Sequence, residues 1–348
     1  MILKKRAHLN FNQYYCYEQK FRQENAHMQE GKRPISKRWS VLNNINNIIS
    51  IDDNIIATSN TVSYEVRFWN ISTKELIYVL HQCHGWVRRI LYSNKSKRLF
   101  ILLSPNTMLI YKKDPSSIEF SLQQQVQLNS RCEILCSKNL IYYAGENSEI
   151  GVINLNNKKR INQNFLNKPI LSLEKWNNYI IAGSELDITF CSKINLQQEK
   201  VIEKAHASSI HILKIMKQTM YNTDVLFSGS YDRTCKLWNP ITLELIKVLD
   251  FSADLIQVIN TNQLLIHPFQ FSKAYHSILL FDVNNAYNTH LLPFTDVKYI
   301  SSFYYLQNQM MFIIGFKNNT FEVFQALSKK QNNKKRAQSI TKILNCQL

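Results

Sequence analysis

Three side chains in this sequence could do nucleophilic chemistry together. His206, Ser228 and Asp232 supply an imidazole, a hydroxyl and a carboxylate within a span of 27 residues. A serine hydroxyl becomes a nucleophile when a neighbouring imidazole takes its proton and a carboxylate orients that imidazole. The surroundings do not favour it. No GxSxG elbow presents the serine on a sharp turn. There is no GxxxxGK[ST] loop, no GxGxxG after a strand, no HExxH and no EF-hand loop. Seven cysteines, at 16, 83, 132, 136, 191, 235 and 346, form no CxxC pair. A structural zinc site is not expected. Cys132 and Cys136 share a strand face in this reading, with burial as small hydrophobes the alternative. His8, Cys16 and His27 fit no common finger spacing. No cofactor and no metal are expected, and the chain is read as a non-enzyme.

The elements that position these residues must come from 348 residues, 45% hydrophobic and 19% charged. That is globular composition, too apolar for disorder. Seven glycines and seven prolines exclude collagen-like and low-complexity classes. MILKKRAHLN holds no apolar run of signal-peptide length, and LFILL at 99–103 is far short of a membrane span. An intracellular protein with reduced thiols is expected, cytoplasmic first and nuclear second.

A net charge of +17 is unevenly spread. Residues 1–38 carry +6, residues 329–348 carry +6, and the 290 residues between carry only +5. A uniformly basic nucleic-acid domain would not be laid out this way. Asn is also abundant, with 37 residues. General Asn and Lys enrichment of the source proteome is therefore an alternative account of part of the charge.

An internal repeat organises the middle. EVRFWNISTKELIYVL (65–80) and TCKLWNPITLELIKVL (234–249) share eight of sixteen positions, including Trp69/Trp238 and Glu75/Glu244. Their offset of 169 residues is four periods of about 42. Similar markers fall at Tyr111, Ile153, Cys191, Phe281 and Phe324, spaced 38–47 apart. The accompanying runs, LFILL, LIYYAG, YIIAGS, DVLFSGS, SILLF and MMFIIGF, are aliphatic or aromatic and bounded by turn residues, as strands are. Residues 39–328 thus hold about seven units of four short strands.

Residues 206–240, with LFSGSYDRTCKLWN at their end, resemble a WD40 repeat. CHGWVRRILYSNKSKRLF (83–100) resembles the opening of a second. The units marked at Ile153, Cys191, Phe281 and Phe324 match by period and strand pattern, not by motif. The resemblance implies an all-β, seven-bladed WD40-like β-propeller over 39–328. It also implies that His206, Ser228 and Asp232 belong with Trp238 to a structural hydrogen-bond tetrad. Such a tetrad ties the loop before a blade to its second strand and the following turn. Ala205 stands where the family has Gly.

Function in such a fold lies on its faces. His84 and Trp86 in blade 2, and Tyr231 and Arg233 in blade 5, are candidate partner contacts because aromatic and Arg side chains anchor interfaces. Packing is the alternative for Trp86, which resembles a residue that many WD40 repeats place there for that purpose. The expected role is a scaffold for a multiprotein complex. One alternative is a propeller held on RNA or ribonucleoprotein by its ends. Another is a ubiquitin-ligase substrate receptor, although a WDxR signature is absent after Trp69 and Trp238.

At the N-terminus, Tyr14, Tyr17, Phe21 and Met28 make an apolar stripe, so residues 12–30 are expected to form an amphipathic helix capped by Asn12 and ended by Gly31. Residues 33–42 are then expected to supply the strand that closes the last blade. The C-terminal tail, 329–348, is expected to be disordered. Closure would bring the two basic ends together as one patch containing Lys32, Arg33, Lys37, Arg38, Lys329, Lys330, Lys334, Lys335 and Arg336. Such a patch would attract RNA, acidic protein tails or an anionic membrane surface. KKQNNKKR also resembles a weak nuclear signal. Oligomeric state is not legible.

Overall fold

Buried central strands alternate with half-exposed outer ones in a computed structural model that describes residues 17–22, 45–60, 64–73, 75–81, 83–104, 106–130, 132–217, 223–268, 277–283, 287–293, 300–309, 311–316 and 320–325. Every described element is a β-strand, and the strands form seven antiparallel four-stranded sheets. Strands a to d of blade 1 are Ile45–Ser50, Ile55–Asn60, Val66–Asn70 and Glu75–Leu80. Blade 2 is Val87–Ser93, Arg98–Leu103, Thr107–Lys113 and Phe120–Gln127. Blade 3 is Cys132–Ser137, Leu140–Gly145, Glu149–Asn154 and Lys159–Phe165. Blade 4 is Ser172–Trp176, Tyr179–Gly183, Ile188–Ser192 and Gln198–Ile202. Blade 5 is Ile210–Met216, Val225–Ser230, Cys235–Trp238 and Leu245–Leu249. Blade 6 is Ala253–Val258, Gln263–Pro268, Ser277–Asp282 and Tyr287–Pro293. Blade 7 is Ile300–Leu306, Met311–Phe316, Thr320–Gln325 and, as its outer strand, Tyr17–Arg22.

This is a seven-bladed β-propeller, and all seven marker residues fall on a strand c. Strand b is buried almost from end to end in every blade. Its continuous apolar runs follow from having a blade on each side. Five of the six runs seen in the sequence are strands b, whereas SILLF is strand c of blade 6. Strands d lie at the rim and carry exposed residues.

There is no single core. The buried apolar residues divide into seven clusters, and each cluster lies between two neighbouring blades. The cluster of Ile45, Ile48, Trp69, Ile313 and Phe321 joins blade 1 to blade 7. One blade alone would expose both faces, so its stability depends on both neighbours. Polar side chains of the inner strands add links. Asn46 Nδ2 donates to the Val87 carbonyl (2.8 Å), Ser172 Oγ to that of Ile210 (2.9 Å) and Ser302 Oγ to that of Ile45 (2.7 Å).

The N-terminus departs from expectation. Tyr17–Arg22, inside the segment expected to be helical over 12–30, is a strand paired residue by residue with Thr320–Gln325. It also takes the closing role expected of 33–42. The physical reason is non-local. Strand c of blade 7 would otherwise leave a row of backbone N–H and C=O groups unpaired. Satisfying them overrides a helical stripe whose Tyr and Phe are also good strand formers. Residues 12–16, 23–30 and 33–42 lie outside the described residues, as does the tail, 329–348.

Candidate functional site

The loops before strands a and the b–c turns share one face, here the upper face. The a–b and c–d turns share the lower one. In blade 5 the upper face holds the four residues expected to meet. His206 precedes strand a, Ser228 is on strand b, Asp232 is in the b–c turn and Trp238 ends strand c. His206 Nδ1 lies 2.8 Å from Asp232 Oδ2, and His206 Nε2 lies 2.7 Å from Ser228 Oγ. Trp238 Nε1 donates to the same hydroxyl at 2.9 Å. A carboxylate facing Nδ1 fixes the proton there, so Nε2 accepts the Ser228 hydroxyl proton.

Electrostatics follow from burial. Burial drives the His206 pKa below the usual value and outweighs Asp232, which pulls it up. Burial would push the Asp232 carboxyl up. The amides of Ala207 (3.0 Å) and Thr234 (2.9 Å), the Thr234 hydroxyl (2.7 Å) and His206 outweigh it and hold that pKa at about 2. The side chains of Ser228 and His206 are sealed from solvent. The arrangement has the parts of a triad and none of its access: no substrate atom can reach the Ser228 oxygen.

Other blades reach the same end with other residues. In blade 1, Trp69 Nε1 donates to Thr58 Oγ1 at 2.9 Å, with Thr58 in register with Ser228. In blade 4, Lys168 before strand a pairs with Asp187 of the b–c turn at 2.5 Å, standing where His206 meets Asp232. In blade 3, Tyr143 occupies the register position of Ser228. Its hydroxyl donates to Glu149 Oε1 (2.8 Å), while Asn129 (2.5 Å) and Asn147 (3.2 Å) donate to Oε2. Glu149 is 1% exposed. Burial opposes its charge, and Tyr143, Asn129, Asn147 and Arg160 outweigh burial and lower its pKa. Gly151 makes this possible, because a Cβ there would sit 2.3 Å from the Tyr143 ring. The sequence reading missed this network. A glycine inside a strand was its one signal.

The candidate contact residues divide between two places. His84 and Trp86 lie before strand a of blade 2, both exposed. With Tyr64 and His81 of blade 1 they line an open cleft of about 550 Å³ between the blades, floored by Cys83, Gly85 and Ser104. Trp86 is 56% exposed, Tyr64 is 51% exposed, and Trp86 Nε1 donates to the Tyr64 hydroxyl at 3.2 Å. Tyr64 was not legible as its partner, since the two are 22 residues apart on different blades. Tyr231 and Arg233 are exposed in the b–c turn of blade 5, three blades away. Tyr231 stacks on His211 with ring centroids 4.4 Å apart. The two candidate pairs are therefore not one site.

Lys32, Arg33, Lys37, Arg38, Lys329, Lys330, Lys334, Lys335 and Arg336 lie outside the described residues. Cys83, Cys136, Cys191 and Cys235 are free thiols. Burial, with Glu65 or Glu199 nearby, pushes Cys83 and Cys191 up to about 12, where a thiolate nucleophile does not form at neutral pH. Among the described residues no group of three or more His, Cys, Asp or Glu is placed to hold a metal ion. No described helix is long and apolar enough to cross a membrane.

No protein-family model matches the chain, and no curated protein matches it. Solved structures do. The crystal structure of the WD40 β-propeller domain of Doa1 superposes with a TM-score of 0.64 at 12% identity, covering 81% of this chain and 93% of that one. At that identity the likeness shows the fold, a WD40-type β-propeller.

Proposed function

We propose that the protein is a non-catalytic interaction scaffold whose principal contact surface is the cleft at Tyr64, His84 and Trp86. WD40 propellers as a fold are protein-binding platforms, which supports the general role. The observation that carries the particular reading is the Trp86–Tyr64 pair. Two large aromatic side chains stand more than half exposed, joined by a hydrogen bond, at the mouth of a cleft between blades. Such residues supply much contact area at little entropic cost when a partner covers them. Catalysis by the blade 5 residues is disfavoured by their burial. The Ser228 hydroxyl is engaged by both His206 and Trp238, so it ties the blade together instead of facing a substrate.

The test is affinity purification of the full chain from its own cells, with RNase throughout. Wild type is compared with Tyr64→Ala/Trp86→Ala. The reading expects proteins that stay bound through RNase and are lost from the double variant, whose melting temperature is unchanged. Partners retained by the variant, or lost on RNase treatment alone, would refute it.

A further inference from the structure

The lower face carries a different chemistry from the upper one. On blades 2 to 5 its turns and adjoining strand ends carry more lysine than acid, the acids there being Asp114, Glu119, Asp224 and Glu244, while Glu146, Glu185, Asp187 and Glu203 sit toward the opposite face. Four of these lysines converge across three blades: Lys138 of blade 3, Lys175 and Lys193 of blade 4, and Lys217 of blade 5. Lys175 Nζ donates to the Cys136 carbonyl of blade 3 at 3.1 Å. Lys193 Nζ donates to the Asn177 carbonyl, and Lys217 Nζ reaches the Asn177 side-chain oxygen at 3.3 Å. Two ammonium groups thus share one asparagine. Asp224 answers Lys217 at 2.8 Å. Burial and then Lys175, Lys217 and Lys138 lower the pKa of Lys193. Like charges held together raise the potential of the whole face.

Within that field two turns project apolar tips. The c–d turns of blades 4 and 5 have the same construction. Leu196 N donates to the Ser192 carbonyl (2.9 Å) and Leu243 N to that of Asn239 (2.8 Å). Ser192 N donates to the Gln197 carbonyl and Asn239 N to that of Glu244, both at 2.9 Å. Leu196 and Leu243 both take left-handed φ, 59° and 66°. Leu196 is buried and Leu243 packs against the core. Turning each leucine inward leaves the isoleucine two residues earlier pointing out. Ile194 is 85% exposed and Ile241 is 59% exposed. A scattered exposed isoleucine needs no explanation. Two at the same position of successive blades, on the lysine face, are a pattern. Lone convex aliphatic tips fit poorly to RNA, which binds through flat rings that stack on bases. A purely acidic protein tail would use the lysines and leave the tips in water. A bilayer surface uses both: anionic headgroups for the lysines and acyl chains for the isoleucines. Tyr17 and Gln325, where the chain enters and leaves blade 7, are paired at the lower end of that blade.

We propose that the lower face of blades 3 to 5 is a peripheral docking surface for an anionic membrane, with Lys138, Lys175 and Lys193 meeting the headgroups and Ile194 and Ile241 entering the interface. The proposal does not depend on the upper-face cleft, and its failure would leave that reading intact.

The test is cosedimentation of the full-length protein with vesicles of phosphatidylcholine alone and of equal parts phosphatidylcholine and phosphatidylserine. Binding to the anionic vesicles only, weakened by salt, is expected. Ile194→Ser/Ile241→Ser, which touches no core packing, should weaken it by roughly tenfold or more. Lys138→Gln/Lys175→Gln/Lys193→Gln should do so by roughly fivefold per lysine. Thermal melts check that both variants fold. No binding to anionic vesicles would overturn the proposal. So would variants that partition like wild type, which would assign the binding to the basic termini. So would binding to polyuridylate, lost in the lysine variant, without vesicle binding.

Discussion

Replacing Asp232 by Asn tests whether the buried triad-like group holds the propeller together. The carboxylate accepts four hydrogen bonds: from His206, from the Ala207 and Thr234 amides and from the Thr234 hydroxyl. They lower its pKa from 3.8 to about 2 against the effect of burial. A pKa lower in the folded chain means that the unfolded chain binds the proton more readily. Stability from this group is therefore complete above the unfolded pKa and lost as pH falls through the folded value. A difference approaching two units is about 2 kcal/mol at neutral pH. Asparagine keeps one acceptor oxygen and turns an NH₂ toward donors, so Asp232→Asn should lose about that much. For a chain of this length this is a fall in melting temperature of roughly 3 °C. The assay is urea unfolding of wild type and variant from pH 7 to pH 3. About half of the difference should be gone by pH 3. His206 adds a separate window. Its lowered pKa means that stability falls as pH drops below 6.5, the ordinary imidazole value, in wild type. Equal midpoints at pH 7, or a difference that does not change with pH, would refute this account of the blade.

Three further outcomes are expected. Gly151→Ala forces the Tyr143 ring off Glu149 and should cost about 2–4 kcal/mol, whereas Tyr143→Phe, which removes only the hydroxyl, should cost about 1–2 kcal/mol; chemical denaturation of both checks the order. Lys168→Met breaks the blade 4 counterpart of the His206–Asp232 pair, but Lys168 is 42% exposed, so the loss should stay under about 1 kcal/mol in the same assay. Deleting residues 1–22 removes the outer strand of blade 7 and exposes the edge of Thr320–Gln325, so light scattering should report self-association and the melting temperature should fall; a monodisperse deletion variant with wild-type melting would refute the pairing.

How legible each part was depends on how local its determinants are. Every marker from Trp69 to Phe324 lies on strand c, because each blade must bury the same positions between two neighbours. In blades 1 to 5 the c–d pairing shifts register immediately before the marker, at Phe68/Trp69, Ile110/Tyr111, Val152/Ile153, Phe190/Cys191 and Leu237/Trp238. That shared backbone irregularity persists where the residues no longer match. The blade 5 group was legible because its four members lie within 33 residues, in one repeat. The blade 3 group was not, because tyrosine, glutamate and asparagine replace serine, aspartate and histidine while performing the same tie. The closing strand was invisible for the opposite reason. Its partner is about 300 residues away, and nothing in YEQKFR itself prefers a strand to a helix.

The charge of the propeller shows the limit most sharply. Summed along 39–328 it is only +5, which argues against a basic domain. A propeller, however, sorts its turns by parity. Along each blade the a–b and c–d turns go to one face and the b–c turn and blade connection to the other. Charges that alternate between these turns cancel in the total and separate in space. Lys138, Lys175, Lys193 and Lys217 lie in or beside a–b and c–d turns, whereas Glu146, Glu185, Asp187 and Glu203 lie at b–c turns or blade connections; Asp114, Glu119, Asp224 and Glu244 below, and Lys168, Lys204 and Arg233 above, reduce the contrast without reversing it. The near-neutral sum is therefore compatible with a net basic face, and the lysines gathered about Lys193, whose pKa is lowered by burial and then by Lys175, Lys217 and Lys138, are its local expression. Once strand boundaries are known, turn parity alone assigns each charged turn residue to a face. Net charge per face, rather than per domain, is then the quantity that speaks to partners of this protein.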